Sequence, residues 1–281
     1  MRIVMTGGTG YLGSVALRRF VAGGHAVTAL VRGAEAAERV RKAGAEAATG
    51  DLFDTAWTAQ RFAEADAVVH LAATGDADNP RFDRAVVDAA VQALAGTGKP
   101  YVHTSGVWIW GDNPAVDEDA PLRPPALTAW RLDVERAVLE ADLAATVLAP
   151  GIVYGHGGGI PAGVLAPARD DAGRVRLVGD GAQHWTSVHV DDVAALYALV
   201  LERGEGLGRL IAVSGDNPTV REIAEAASGG AGVAPETVEE SRARLGAGFA
   251  DALLLDQQAT GARARSLGWT PSGPPLLDEI R

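Results

Sequence analysis

A glycine cluster, Gly7-Gly8-Thr9-Gly10-Tyr11-Leu12-Gly13, follows the apolar run Ile3-Val4-Met5 and Thr6 at the amino terminus. Leu12, Ala16, Leu17 and Phe20 then recur at helical spacing, so the stretch reads strand, tight turn, helix. Glycines in that context let the backbone turn sharply and approach a pyrophosphate more closely than any side chain allows. The free N–H groups of the helix start then point at its oxygens. Two registers fit: Gly8-x-Gly10-x-x-Gly13, the general dinucleotide fingerprint, and Gly7-x-x-Gly10-x-x-Gly13. A second apolar run, Ala26 to Val31, ends at Arg32. At about 20 residues past the glycines an acid would bind a ribose 2′-hydroxyl, and an arginine accommodates a 2′-phosphate. Arg32 holds that place with no Asp or Glu at the strand end, which points to NADP(H).

Other side chains with chemical potential are scattered. Ser105 follows the apolar run Tyr101 to Thr104, and Tyr154 and His156 follow the run Ala144 to Pro150. Trp108, Trp110, Tyr154 and Trp185 fall near strand ends, where ligands sit in open α/β sheets, and are expected to line a substrate pocket or to pack the core. His70 reads as a packed strand residue. Asp191 or Asp192 reads as a helix N-cap in preference to a metal or acid/base group, and no metal ligand is assigned.

The elements that must position these groups alternate through the first half. Strands are expected at 26–31, 45–49, 66–73, 101–104 and 144–150, with helices at 34–43, 81–95 and 127–141. Residues 112–126 carry Pro114, Pro121, Pro124 and Pro125 among acids and read as a loop. Continuous apolar strands of this kind belong to a parallel sheet buried on both faces. Later, 174–178 and 210–213 read as strands, and 219–227 and the stretch from Asp191 or Asp192 through Leu201 as helices. The expected organisation is mainly a nucleotide-binding core over 1–155 and mainly a small substrate-binding lobe over 156–281 with elements returning to the core, as one compact unit.

Composition narrows the partners. The 281 residues carry a formal net charge of −11, which argues against nucleic acid and against an anionic membrane surface. Hydrophobic residues make up 47% of the chain and mean hydropathy is +0.06, an ordinary globular balance. With no cysteine there is no disulfide, thiolate nucleophile or cysteine metal site. No run approaches the ~20 apolar residues of a membrane helix, and a strand beginning at residue 2 leaves no room for a signal peptide. The expected compartment is the cytoplasm. The expected partner is a small organic molecule, with a homodimer left open.

Thr6-Gly7-x-x-Gly10-x-x-Gly13, Gly50-Asp51-Leu52, His70-Leu71-Ala72-Ala73, Thr104-Ser105, Pro150 to Gly155, Val188 to Asp192 and Leu267-Gly268-Trp269 occur in an order that resembles the extended short-chain dehydrogenase/reductases of the epimerase/dehydratase type. The resemblance implies a Rossmann-type doubly wound parallel sheet with a small C-terminal lobe. It places Asp51 and Leu52 against an adenine ring and Leu71, Ala72 and Ala73 along the ribose and pyrophosphate. It adds Gly7, Thr9, Gly10, Tyr11 and Leu12 at the phosphates, and Thr104, Pro150, Gly151 and Val153 along the rest of the cofactor. Counted by motif spacing, the family's Ser, Tyr and Lys fall on Gly106, Leu127 and Arg131. Leucine has no proton to give, and arginine is effectively never a proton donor. Arg131 is then expected to bind a nicotinamide ribose or an anionic substrate, with Ser105 and Tyr154 as substitute hydroxyls. The implied activity is NADPH-dependent reduction of a carbonyl, enone or imine. The alternatives are a non-redox isomerase, cyclase or dehydratase, and an NADP-sensing regulator.

Overall fold

In the computed structural model, which describes all 281 residues, the first half alternates strand and helix. In order come β1 (Arg2–Thr6), α1 (Tyr11–Ala22), β2 (Ala26–Val31), α2 (Ala34–Lys42), β3 (Glu46–Thr49), α3 (Thr55–Ala63), β4 (Ala67–His70), α4 (Asn79–Leu94), β5 (Pro100–Thr104) and β6 (Asn113–Val116). Then follow α5 (Arg131–Glu140), β7 (Ala144–Pro150), β8 (Ile152–Gly155), β9 (Val175–Arg176), β10 (Ser187–His189), α6 (Val190–Arg203), β11 (Gly208–Ala212) and α7 (Val220–Ala227). The chain closes with β12 (Val233–Ala234), α8 (Val238–Leu245), α9 (Ala247–Leu253), β13 (Gln257–Ala259), α10 (Ala262–Ser266) and α11 (Leu276–Glu279).

These elements form two compact units that interleave along the sequence. One takes Met1–Ser105, Trp130–Ala149 and Val193–Leu210, and the other Gly106–Ala129, Pro150–Asp192 and Ile211–Arg281. The first is built on a seven-stranded sheet of order β11-β7-β5-β4-β1-β2-β3. Its strands from β3 to β7 pair in parallel. The order reverses between β1 and β4, and the crevice outside the carboxyl ends at such a switch point is where ligands bind in open α/β sheets. Ile3, Val4 and Met5 of β1 and all of β4 are buried, as central parallel strands must be. Leu30, Val68 and Tyr101 of the sheet meet Phe62, Val86, Val87, Leu94 and Val138 of α3, α4 and α5 in one core cluster. Each of these large side chains contributes about 1.5–3 kcal/mol by leaving water. The second unit holds three two-stranded pairs, β8–β10, β9–β12 and β6–β13, all parallel. Its core gathers Tyr154, Leu165, Leu177, Trp185, Ile223 and Leu253.

Several expected boundaries move. The helix expected from Leu127 begins at Arg131, because Thr128 N–H is taken by the Pro125 carbonyl at 3.0 Å and residues 126–130 stay in turns. The proline-rich loop contains β6, whose partner β13 lies far down the chain and gives no local signal. The strand expected over 174–178 shrinks to Val175–Arg176. Helix α3, unmarked by the sequence reading, is started by Asp54, whose carboxylate accepts Trp57 N–H at 3.0 Å. The Thr219 and Thr237 side chains form capping boxes with Glu222 and Glu240 at α7 and α8. No helix is long and apolar enough to cross a membrane.

The glycine register is settled by backbone contacts. Gly7 sits at φ 74°, and a Cβ there would lie 2.6 Å from Ala72 N. A Cβ on Gly13 would lie 2.0 Å from the Gly7 carbonyl oxygen, whereas the nearest atoms to one on Gly8 are in side chains, of Leu17, Ala29 and Met5 at 3.0, 3.2 and 3.6 Å. The Gly7–Gly10–Gly13 spacing is therefore the one the turn obeys. Gly13→Ala is expected to lower unfolding stability by on the order of 2–4 kcal/mol in chemical denaturation, and Gly8→Ala by clearly less. Equal losses would show that the register is assigned wrongly.

Candidate functional site

The carboxyl ends of β1, β2 and β4 open onto a cleft of about 610 Å³. Gly7, Thr9, Gly10, Arg32, Asp51, Leu52, Leu71, Ala72 and Ala73, scattered over more than sixty positions of sequence, all line it. The turn closes through Gly10 N–H to the Gly7 carbonyl at 2.9 Å, and α1 starts on Gly10 without a side-chain cap. A helix start with no N-cap side chain over it is the arrangement that holds an anion. Tyr11 and Leu12 form the first helical positions and are not part of the cleft wall. Asp51 accepts Phe53 N–H at 2.9 Å, so it shapes its own turn while facing the cleft. A dinucleotide fits this cradle in shape and in hydrogen-bond character.

Arg32 is exposed at the cleft, with its guanidinium free of any hydrogen bond or ion pair within the chain. The sequence reading missed a second guanidinium. Arg39, on α2, donates from Nη2 to the Thr9 carbonyl at 3.1 Å and lines the same cleft. Its only sequence signal is a place one helical turn beyond Glu35, which also reaches the cleft.

Beneath the cleft floor lies a buried polar chain. Thr6 Oγ1 accepts the N–H groups of Leu71 and Ala72, each at 3.2 Å. Its own proton then goes to His70 Nδ1 at 2.6 Å, which leaves Nε2–H of His70 to donate to Asp83 at 3.1 Å. His70 is thus the packed strand residue expected, 1% exposed, and it orients the turn that forms one wall. Burial opposes ionisation of Asp83. The His70 hydrogen bond and the nearby His70, His103 and Arg131 nevertheless hold its carboxyl below the ordinary range. His103, fully buried, is pushed down to about 3, by desolvation first and by His70 next.

Arg131 opens α5, donates from Nη1 to the Thr104 carbonyl at 3.3 Å and lies 3.9 Å from Asp83. Its guanidinium stacks 4.7 Å from the centre of the Trp130 ring, so a fixed cation stands at the end of β5. Thr104 Oγ1 donates to the His70 carbonyl and meets Tyr197 Oη, both at 2.6 Å. Ser105 donates to Glu135, whose other oxygen accepts from Arg209 at 2.9 Å. That hydroxyl closes a buried link between strand and helix. Thr104, Ser105 and Arg131 do not belong to the cleft lining.

In the second unit Tyr154 is 2% exposed and donates to the Pro274 carbonyl at 2.8 Å. Burial, then Asp216, Asp192 and Glu279, raise its phenol above the ordinary value. Trp110 and Trp185 are buried too, and Trp185 donates to the Leu253 carbonyl at 2.9 Å. Of the aromatic residues expected at a pocket wall, only Trp108 is partly open, packed edge-on against Phe249. Gly151 lies so close to Thr186 that a Cβ would come within 2.5 Å of its carbonyl oxygen. Its neighbours Pro150 and Val153 are buried and half-buried. Leu127 is 41% exposed and Gly106 precedes a short 3-10 turn.

Neither Asp191 nor Asp192 is the N-cap expected. Helix α6 begins at Val190, and His189 Nδ1 takes the Asp191 N–H at 3.3 Å. Asp192 instead accepts Ser272 and Gly273 N–H at 2.8 and 2.9 Å, and Trp269 donates to its carbonyl. The Leu267-Gly268-Trp269 segment is thereby fastened to the start of α6.

Residues 3–211 match the NAD dependent epimerase/dehydratase family. A UDP-glucose 4-epimerase of Mycolicibacterium smegmatis is 31% identical over 96% of this chain and 94% of its own. A 3-diazoavenalumate denitrifying reductase of a Streptomyces species is 30% identical over 100% of this chain and 99% of its own. Among solved structures, the UDP-glucose 4-epimerase of Thermus thermophilus in complex with NAD aligns with TM-score 0.74 at 24% identity, over 100% of this chain and 99% of that one.

The buried imidazole of His103 gives a pH signature. Its folded pKa lies below the ordinary 6.5, so the unfolded chain binds the proton more readily. The stability it contributes is complete above pH 6.5 and is lost as pH falls toward 3. The melting temperature is expected to fall over that range, and His103→Asn to flatten the decline between pH 6.5 and 4.5. An unchanged slope in the variant would place the acid sensitivity elsewhere.

Proposed function

The chain belongs to the NAD dependent epimerase/dehydratase family, and we propose that within it the protein is an NADP(H)-dependent reductase of a small or medium organic molecule. The observation that carries the reading is that Arg32 and Arg39 both line the cleft. Two guanidiniums suit the doubly charged 2′-phosphate that distinguishes NADPH, and one of them is unpaired within the chain. Gly7, Thr9 and Gly10 with the start of α1 would take the pyrophosphate, and Asp51 and Leu52 the adenine. Leu71, Ala72 and Ala73 would follow the ribose toward the nicotinamide. The bound dinucleotide supplies a hydride at its nicotinamide ring. A relative named as a reductase over its full length supports this class of chemistry.

The chain's own residues favour an undemanding substrate. Ser105 is engaged with Glu135, and the Tyr154 phenol is raised in pKa and donates to Pro274. Neither is poised to give a proton. Arg131 supplies a fixed positive charge at the end of β5 for a ribose hydroxyl or a substrate oxygen. An iminium needs no proton at all when hydride arrives at its carbon. An enone takes hydride at its β-carbon and receives a proton from water. A plain ketone asks more of the protein than these groups offer. One observation favours a second reading. The Glu35 carboxylate also lines the cleft and suits a free 2′-hydroxyl, as NAD would present and as an epimerase would use.

Fluorescence titration should give NADPH at least about tenfold tighter than NADH, a difference of about 1.4 kcal/mol. Arg32→Ala and Arg39→Ala should each remove most of that preference and leave NADH binding nearly unchanged. Equal affinities in the unaltered protein would favour the NAD reading. With NADPH deuterated at C4, label should appear on carbon in the product of an iminium or enone substrate. Turnover that leaves all label on the coenzyme would exclude the reductase. Arg131→Met should lower kcat/KM on such a substrate by about 10²-fold, assayed below the variant's own melting transition, if the guanidinium positions reactants.

A further inference from the structure

We propose that His156, His189 and Asp191 form a binding site for a divalent transition-metal ion, with zinc the best match. All three lie in the second unit, so the argument rests on one body. Strands β8 and β10 pair in parallel with Tyr154 opposite His189. Just beyond that pair β8 turns at His156 while β10 passes into α6, whose first turn carries Asp191 beside it. His156 Nε2 lies 3.0 Å from each Asp191 oxygen, and His189 Nδ1 lies 3.7 Å from Asp191 Oδ2. The three donor atoms all fall within 4.8 Å of one another. Tetrahedral zinc with bonds of about 2.0–2.1 Å separates its ligand atoms by about 3.3 Å, so modest side-chain shifts complete the set.

The donors are held before any ion arrives. The His189 ring is 4% exposed and stands edge-on to Tyr154 at 5.4 Å. It is packed so closely on Gly155 that a Cβ there would come within 2.4 Å of Nε2. Because Asp191 N–H points at Nδ1, that nitrogen carries the lone pair a metal needs. The long 3.3 Å contact is what an ion would replace. His156 hangs on the loop after β8, which Glu279 pins by accepting its backbone N–H at 2.9 Å. The His156 and Asp191 side chains are about half exposed, which gives an ion an entry path and leaves a coordination position open to water. Two imidazoles and one carboxylate select zinc and its neighbours over magnesium or calcium, which prefer all-oxygen shells.

The experiment uses the full chain, with calorimetric titration of zinc chloride and absorption spectra with cobalt(II) chloride as the spectroscopic probe. One ion per chain is expected, with visible cobalt bands of a four- or five-coordinate nitrogen/oxygen site. His156→Gly and Asp191→Asn should each weaken zinc by at least tenfold and bleach the cobalt bands. Position 156 has φ 52°, a conformation glycine adopts freely, so the glycine variant keeps the fold, which its melting temperature checks. His184→Gln, at the separate His184–Asp256 pair, should leave the affinity unchanged. The proposal fails if the unaltered chain binds zinc no tighter than millimolar. It fails equally if folded His156→Gly binds as well as the parent, or if only His184→Gln abolishes binding.

Discussion

The approach of backbone to backbone at the head of the sheet is the constraint on which the cleft depends. Gly7 lies against the Leu71–Ala72 peptide and Gly13 against the Gly7 carbonyl, at separations that leave no room for a Cβ. A side chain at either place would push β1, α1 and the exit of β4 apart. The glycine turn would then widen, and the start of α1 would shift from the cleft. Thr6 holds the other side of the same junction. Its hydroxyl collects the Leu71 and Ala72 amides and passes its proton to His70. Steric closeness and a satisfied polar chain thus act on one turn.

That polar chain shows how a buried charge is kept in a mostly apolar sheet. Asp83 is 3% exposed and would be expensive alone, yet His70 donates to it and Arg131 lies within 4 Å. The neutral, desolvated His103 fills the remaining side. Arg131 therefore acts in two directions. It helps balance Asp83 from below and presents its guanidinium at the end of β5 above. Glu135 repeats the device one turn further along α5, fully buried between Ser105 and Arg209. Both acids tie a helix to the sheet.

In the second unit the polar groups fasten segments distant in sequence. Asp192 holds Ser272 and Gly273, Tyr154 holds Pro274, and Glu279 holds the backbone of His156. The carboxyl-terminal stretch is thereby laid across β8, β10 and the start of α6. This explains why Trp269 sits where it does, with its indole N–H on the Asp192 carbonyl. The His156–His189–Asp191 constellation arises where the two strands end side by side.

The sequence by itself determined the alternation of the first half, the parallel sheet, the glycine turn and the place of Arg32. These are local: glycine spacing and apolar runs register the backbone's demands within about a dozen residues. It was equally able to mark His70 as a packed residue, since a histidine inside a continuous apolar strand has little water to reach. Tertiary structure alone decided the partners of the side chains. Arg39 reaches the cleft because α2 folds back over the glycine turn, and β6 becomes a strand only when residues 257–259 arrive beside it. Ser105 and Tyr154 are hydroxyls of similar promise in the sequence, but Glu135 and the Pro274 carbonyl claim them from 30 and 120 residues away. Hydrogen bonds across such separations leave no periodicity to read, because they depend on where the chain returns and not on what surrounds each residue along it.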